Sequence, residues 1–88
     1  MERVLDVSML EPCEPLERTI EVSRSLAAGD YLRVLHRREP HLLYPLLEKL
    51  GLRWHCQPLA AASFEIFIWR RNDGPAEGDV RQALAKLC

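Results

Sequence analysis

Two hydrophobic rhythms take turns along the chain: short runs with apolar residues at every second position, and longer segments with apolar residues every three or four. Val4-Leu5-Asp6-Val7-Ser8 is β-rich, with Leu5 and Val7 of one parity and Asp6 and Ser8 of the other, and reads as a first strand over 4–8. Leu16, Ile20, Ser23 and Ala27 then recur at helical spacing with Leu26 beside them, while Glu17, Arg18, Glu21 and Arg24 fill the opposite face. This predicts a helix over about 14–27, closed by Ala28-Gly29-Asp30, where glycine takes the left-handed conformation that ends a helix. Tyr31 to His36 is a second strand. After the polar turn Arg37-Arg38-Glu39-Pro40, Leu43, Leu46, Leu47 and Leu50 mark the apolar face of a second helix closed by Gly51. Pro45 would cost an interior hydrogen bond if that helix began at Pro40, so the regular helix begins near 42 or follows a separate tight turn.

Leu52 to Gln57 and Phe64 to Arg70 are strand-like and are separated by a connection that suits a hairpin. Asn72-Asp73-Gly74-Pro75 breaks the pattern, and Val80, Ala83, Leu84 and Leu87 predict a third helix over about 76–87. The order βαβαββ gives an α/β fold of the two-layer α+β sandwich type, with a mixed four-stranded sheet, two helices on one face and a C-terminal helix. The expected division is a domain over 1–73 and a helical extension over 74–88. The fourth strand is apolar on both parities, Phe64, Ile66 and Ile68 against Phe67 and Trp69. One set is expected on an open face together with Trp54, covered by the C-terminal helix or by a second copy of the chain.

Length bounds the core: 88 residues make one small domain. Twelve Lys and Arg against thirteen Asp and Glu leave a net charge of -1, so no global field recruits nucleic acid or an anionic membrane. Contact with RNA phosphates would have to be local, at Arg37-Arg38 with Arg70-Arg71, and the glycine-aromatic RNA-binding motifs are missing. No run of about 18 apolar residues exists and Met1-Glu2-Arg3 leads directly into a strand, which implies a cytoplasmic protein without a membrane span. Cys13, Cys56 and Cys88 form neither a CxxC pair nor zinc-finger spacing and read as reduced thiols. Cys13, His36, His41, His55 and Cys56 supply metal-ligand types, but His55 and Cys56, adjacent on a strand, point to opposite faces, so a metal- or anion-binding accessory domain stands as an alternative and no cofactor is expected.

The candidate chemistry centres on Leu10-Glu11-Pro12-Cys13-Glu14-Pro15-Leu16. Both prolines suit a helix start, which puts Cys13 among unpaired N–H groups whose partial positive charge favours a thiolate. If the first two strands are parallel neighbours, their exits share one edge, where ligands of α/β sheets tend to bind. Cys13 and Glu14 would then meet His36, Arg37, Arg38, Glu39 and His41. A thiol beside basic groups suits sulfur transfer, redox chemistry or an anionic ligand. The bland alternative is a solvated turn in which Glu39 caps the second helix and the arginines face water. Cys56 reads as a small buried hydrophobe and Cys88 as a terminal thiol.

Val4-Leu5-Asp6-Val7, Leu10 and Pro12-Cys13-Glu14-Pro15-Leu16 resemble the opening of the TusA/SirA-like superfamily of small sulfur carriers, whose signature is Cys-Pro-x-Pro before the first helix. His36-Arg37-Arg38-Glu39-Pro40 with Leu43-Tyr44-Pro45-Leu46-Leu47 is similar to a branch of short bacterial domains related to it. The likeness spans about residues 4–71. Aligned on Pro15, Pro12 stands where the carriers have cysteine and Cys13 where they have the first proline. The thiol is displaced by one residue, about 100° around a helix start. The resemblance implies a carrier or accessory protein rather than an enzyme, with Cys13 as the candidate thiol and a protein partner; pairing of two copies through the open sheet face or the C-terminal helix is a separate expectation from the apolar fourth strand.

Overall fold

Tyr31–His36 sets the frame, because both of its edges are paired. In the computed structural model, which describes residues 2–7, 14–59 and 63–86, this strand, β2, runs parallel to β1 (Glu2–Asp6) and antiparallel to β4 (Ser63–Arg70). β4 pairs antiparallel with β3 (Leu52–Leu59), giving the order β1-β2-β4-β3. The fold is the expected α/β arrangement with a mixed four-stranded sheet. The first crossover joins parallel neighbours; the second leaves β2 and β3 pointing the same way with β4 between them.

Helices α1 (Glu14–Arg24) and α2 (Leu43–Lys49) lie on one face. Between them and the sheet is a core of Val7, Leu26, Leu32, Val34, Leu43, Leu47, Leu52, Ile66 and Ile68. Each such side chain contributes about 1.5–3 kcal/mol relative to leaving it in water. The second helix solves its proline problem by starting late. Leu43 N–H donates to Pro40 C=O (2.9 Å) in a preceding turn, so Pro45 falls in the first helical turn, where its missing N–H costs nothing.

Helix α3 (Gly74–Lys86) covers the other face of the same chain's sheet, burying Tyr31, Phe67 and Trp69 beneath Ala76 and Val80. It starts two residues earlier than its periodicity suggests because Asp73 caps it. Asp73 Oδ1 accepts from Ala76 N–H (3.1 Å), and Oδ2 accepts from Gly29 N–H (2.8 Å), tying the turn before β2 to the helix start. Among the described residues no helix is long and apolar enough to cross a membrane.

Four readings of the sequence change. Trp54 is opposite Ile68 in the β3–β4 register, so it sits on the α1/α2 face and not on the face of Phe67 and Trp69. β1 begins at Glu2, because pairing with Tyr31 and not the apolar run sets its start; Ser8 lies outside the described residues. α1 ends at Arg24, which leaves Ala27 exposed while Leu26, in the following turn, is buried. α2 is only seven residues long and presents Leu43 and Leu47 to the core, leaving Leu46 and Leu50 36% and 42% exposed.

Candidate functional site

Because β1 and β2 are parallel neighbours in the register Glu2↔Tyr31 to Asp6↔Leu35, their carboxyl ends open on one edge of the sheet. The polypeptide leaves β2 at His36, turns through Arg37–Leu42, and enters α2. The start of α1 faces this turn across a cavity of about 540 Å³. Leu16, Glu17 and Thr19 of α1 line one side; His36, Arg38, Glu39, Pro40, His41, Leu42 and Leu43 line the other.

His36 is half-buried, and its Nδ1 accepts a hydrogen bond from the Arg38 backbone N–H (3.1 Å). Burial, with the Arg37 and Arg38 guanidiniums nearby, pulls the His36 pKa below its ordinary value. The ring is therefore neutral at physiological pH with its proton on Nε2, a hydrogen-bond donor. Glu39 accepts from the Tyr44 hydroxyl (3.3 Å) and stands 3.6 Å from His41 Nδ1. It does not cap α2, which has no side-chain cap, so the bland version of this turn holds only for the arginines, both of which are exposed.

Tyr44 was not among the residues singled out from the sequence, yet it organises this side of the site. Its ring stacks on Trp54 with centroids 5.3 Å apart and planes 7° from parallel, and the His41 ring meets it edge-on at 6.2 Å. Burial, the Cys56 thiol and the Glu39 carboxylate raise its hydroxyl well above the ordinary phenol range. Cys56 is half-buried beneath it. Burial pushes that thiol up, its hydrogen bond with Tyr44 pulls down, and the Glu39 charge adds to the rise. Cys56 is thus a protonated, packed thiol at neutral pH, with little nucleophilic character. A tyrosine five positions after a glutamate is a weak pattern; only the turn at residues 40–42 folds the two together.

Of the residues expected at this edge, His36, Arg38, Glu39 and His41 share the cavity, while Arg37 stays outside its lining. Glu14 opens α1, one turn before Glu17. Cys13 and Cys88 lie outside the described residues. The two arginine pairs do not merge into one patch: Arg37-Arg38 follow the end of β2, and Arg70-Arg71 follow the end of β4, which runs the opposite way. His55 is exposed on the α3 face and Cys56 points to the other face, as adjacent strand positions must. Among the described residues no group of three or more His, Cys, Asp or Glu is placed to hold a metal ion.

The cavity offers apolar walls at Leu16, Leu42 and Leu43, the Arg38 guanidinium, the imidazoles of His36 and His41, and the carboxylates of Glu17 and Glu39. That set suits a segment or ligand with an apolar body and a polar or anionic end. Searches among curated proteins and among solved structures returned no match. A family model described as an uncharacterized conserved protein, DUF2249, matches residues 4–70, the stretch that holds all four strands and both helices of the α1/α2 face. With more than half of its length inside that match, the chain belongs to the DUF2249 family.

Proposed function

We propose that this chain is a small sulfur-carrier-like accessory protein in which Cys13 is the sulfur-bearing thiol and the strand-exit edge receives a protein partner. One observation supports the reading most: the first turn of α1, which follows Cys13 directly in sequence, shares a cavity with His36, Arg38, Glu39 and His41. In the proposed reaction the Cys13 thiolate attacks the outer sulfur of a donor's persulfide. The donor's S–S bond breaks, the donor thiolate leaves, and Cys13 holds the persulfide; no external oxidant is consumed. A thiol directly before a helix is favoured as the thiolate by the unpaired N–H groups of the helix start, and in this reading the Arg38 cation acts in the same direction.

The reading is tested by alkylating the thiols with iodoacetamide across pH and locating the products by mass. Cys13 is expected to react with an apparent pKa below the ordinary value of about 8.5, and Arg38→Gln is expected to move it back toward that value. Ordinary and equal behaviour at Cys13 and Cys88 contradicts the carrier reading. A second reading, a protein-interaction module with an incidental cysteine, draws on the leucines that α2 turns outward. Leu42 is 80% exposed beside the cavity, and Leu46 and Leu50 continue the stripe at spacings of four. Such a module would tolerate Cys13→Ser and lose its partner on Leu42→Asp.

A further inference from the structure

At the edge of the sheet opposite the cavity described above, three exposed arginines from two distant parts of the chain share a cavity with Ser23, whose buried hydroxyl has no hydrogen-bond partner. Ser23 and Arg24 close α1, Arg70 ends β4, and Arg71 begins the turn after it; together with Leu50 and Leu52 they line a cavity of about 320 Å³. The turn is held in place by the Arg71 N–H, which donates to Gly51 C=O (2.9 Å). None of the three guanidiniums is held in an ion pair among the described residues, although carboxylates elsewhere hold Arg18, Arg33 and Arg81.

Ser23 is fully buried, and among the described residues its Oγ is the one buried side-chain polar atom without a hydrogen-bond partner. A buried helical serine ordinarily returns its hydroxyl to a carbonyl one turn back. Even Ser25, exposed in the turn after the helix, donates its hydroxyl to Val22 C=O at 2.8 Å. An unmade hydrogen bond at a buried site is costly, which marks Ser23 as a group with a partner still to come. Arg24 by itself is explained by the C-terminal end of α1, where a cation complements the helix dipole. Arg70 and Arg71 belong to a strand and its turn; Arg70 feels the Asp73 carboxylate without forming an ion pair with it, and neither arginine has a helix end to complement.

We infer that this cavity is a binding site for a phosphate monoester, with the guanidiniums of Arg24, Arg70 and Arg71 on the phosphoryl oxygens, the Ser23 hydroxyl as a further donor, and the Leu50 side chain against the organic group. Three cations in one small cavity favour a dianion over a carboxylate, and guanidinium matches phosphate oxygens in bidentate fashion. Leu50, 42% exposed at the rim, gives the ester an apolar contact that inorganic phosphate would not use.

The experiment is an NMR titration of the full chain at fixed ionic strength with inorganic phosphate, phenyl phosphate and acetate. Saturable shifts are expected at the amides of Ser23, Arg24, Gly51 and Arg71, with phenyl phosphate bound more tightly than inorganic phosphate and acetate at least about tenfold more weakly. Arg71→Gln is expected to weaken phenyl phosphate about tenfold or more, whereas Arg53→Gln, an equal loss of charge on the exposed α3 face, should leave it unchanged. Ser23→Ala is the discriminating variant. With no ligand role it only removes an unsatisfied hydroxyl and leaves affinity as it was; the site as inferred requires affinity to fall several-fold while the protein stays folded. Shifts confined to residues 36–43, linear non-saturating shifts, or wild-type affinity in either Ser23→Ala or Arg71→Gln would each overturn the assignment.

Discussion

Removing Phe67 should show whether α3 is part of the domain or an appendage to it. Phe67 is 1% exposed on the central strand β4, and Val80 of α3, also 1% exposed, packs in the same cluster. Truncating a buried phenylalanine to alanine costs about 3–5 kcal/mol, a lost transfer free energy plus the cavity left behind. A domain of this length has a total stability of roughly 4–13 kcal/mol, from about 0.05–0.15 kcal/mol per residue. Phe67→Ala therefore removes a large share of it. Val80→Ala deletes two buried carbons, about 2 kcal/mol at roughly 0.8 per CH₂ with a cavity increment. Because the two side chains share one cluster, the double variant should lose about 1 kcal/mol less than the sum of the singles. Urea denaturation followed by far-UV circular dichroism measures all three. With a slope of about 1–1.5 kcal/mol/M, the midpoint of Phe67→Ala should fall by roughly 2–5 M. Val4→Ala is the control, since Val4 lies on the same sheet face beyond α3, is 57% exposed, and should cost under about 0.5 kcal/mol. Strict additivity of the two alanine variants, or a loss below about 1 kcal/mol for Phe67→Ala, would refute the docking of α3 on this face.

Three further outcomes follow from polar contacts. Glu65 is 1% exposed and held by Arg33 Nε and by Gln57 Nε2 (3.3 Å), so Arg33→Met, which strands the carboxylate, should cost about 3 kcal/mol in urea denaturation, and adding Glu65→Leu should restore much of it. The backbone N–H groups of Gly29 and Ala76 hold the Asp73 carboxylate below its ordinary pKa. Its stabilisation is complete above the unfolded value of about 3.9 and is lost as pH falls through the lower folded value. Melting temperatures between pH 5 and 2 should therefore fall less steeply in Asp73→Asn. Burial and the Arg37 and Arg38 cations depress His36, so its contribution is complete above about pH 6.5 and declines as pH falls toward the lower folded value. His36→Gln should flatten the stability profile between pH 7 and pH 5.

Local signals carried the order and type of the elements. Gly51, at φ 74°, follows α2 where left-handed backbone is needed, whereas Gly29, at φ 84°, serves the turn before β2, well past the end of α1 at Arg24; β2 spans Tyr31–His36 as its composition suggests. The assignment of Trp54 to a face failed because β4 is apolar on both parities: β3 alternates Leu52, Trp54 and Cys56 with Arg53, His55 and Gln57, but only its register with β4 shows that this apolar set faces α2. Leu46 and Leu50 have helical spacing from Leu43, but α2 is too short and too close to the sheet edge for the whole stripe to be covered. The meeting of α1's start with the His36–Leu43 turn was legible because two β-helix-β units imply it. Tyr44 over Cys56, and Ser23 among three arginines, were not: each depends on non-local packing that no window of sequence contains.

The central claim is that the strand-exit edge serves a sulfur-bearing Cys13, and its most direct test is intact mass after incubation with a persulfide donor. The wild-type chain should gain one sulfur atom that reducing agent removes. Cys56→Ser and Cys88→Ser should gain it equally, and Cys13→Ser should not. Sulfur on Cys88 or Cys56 with none on Cys13, or no adduct in any form of the protein, would contradict the claim.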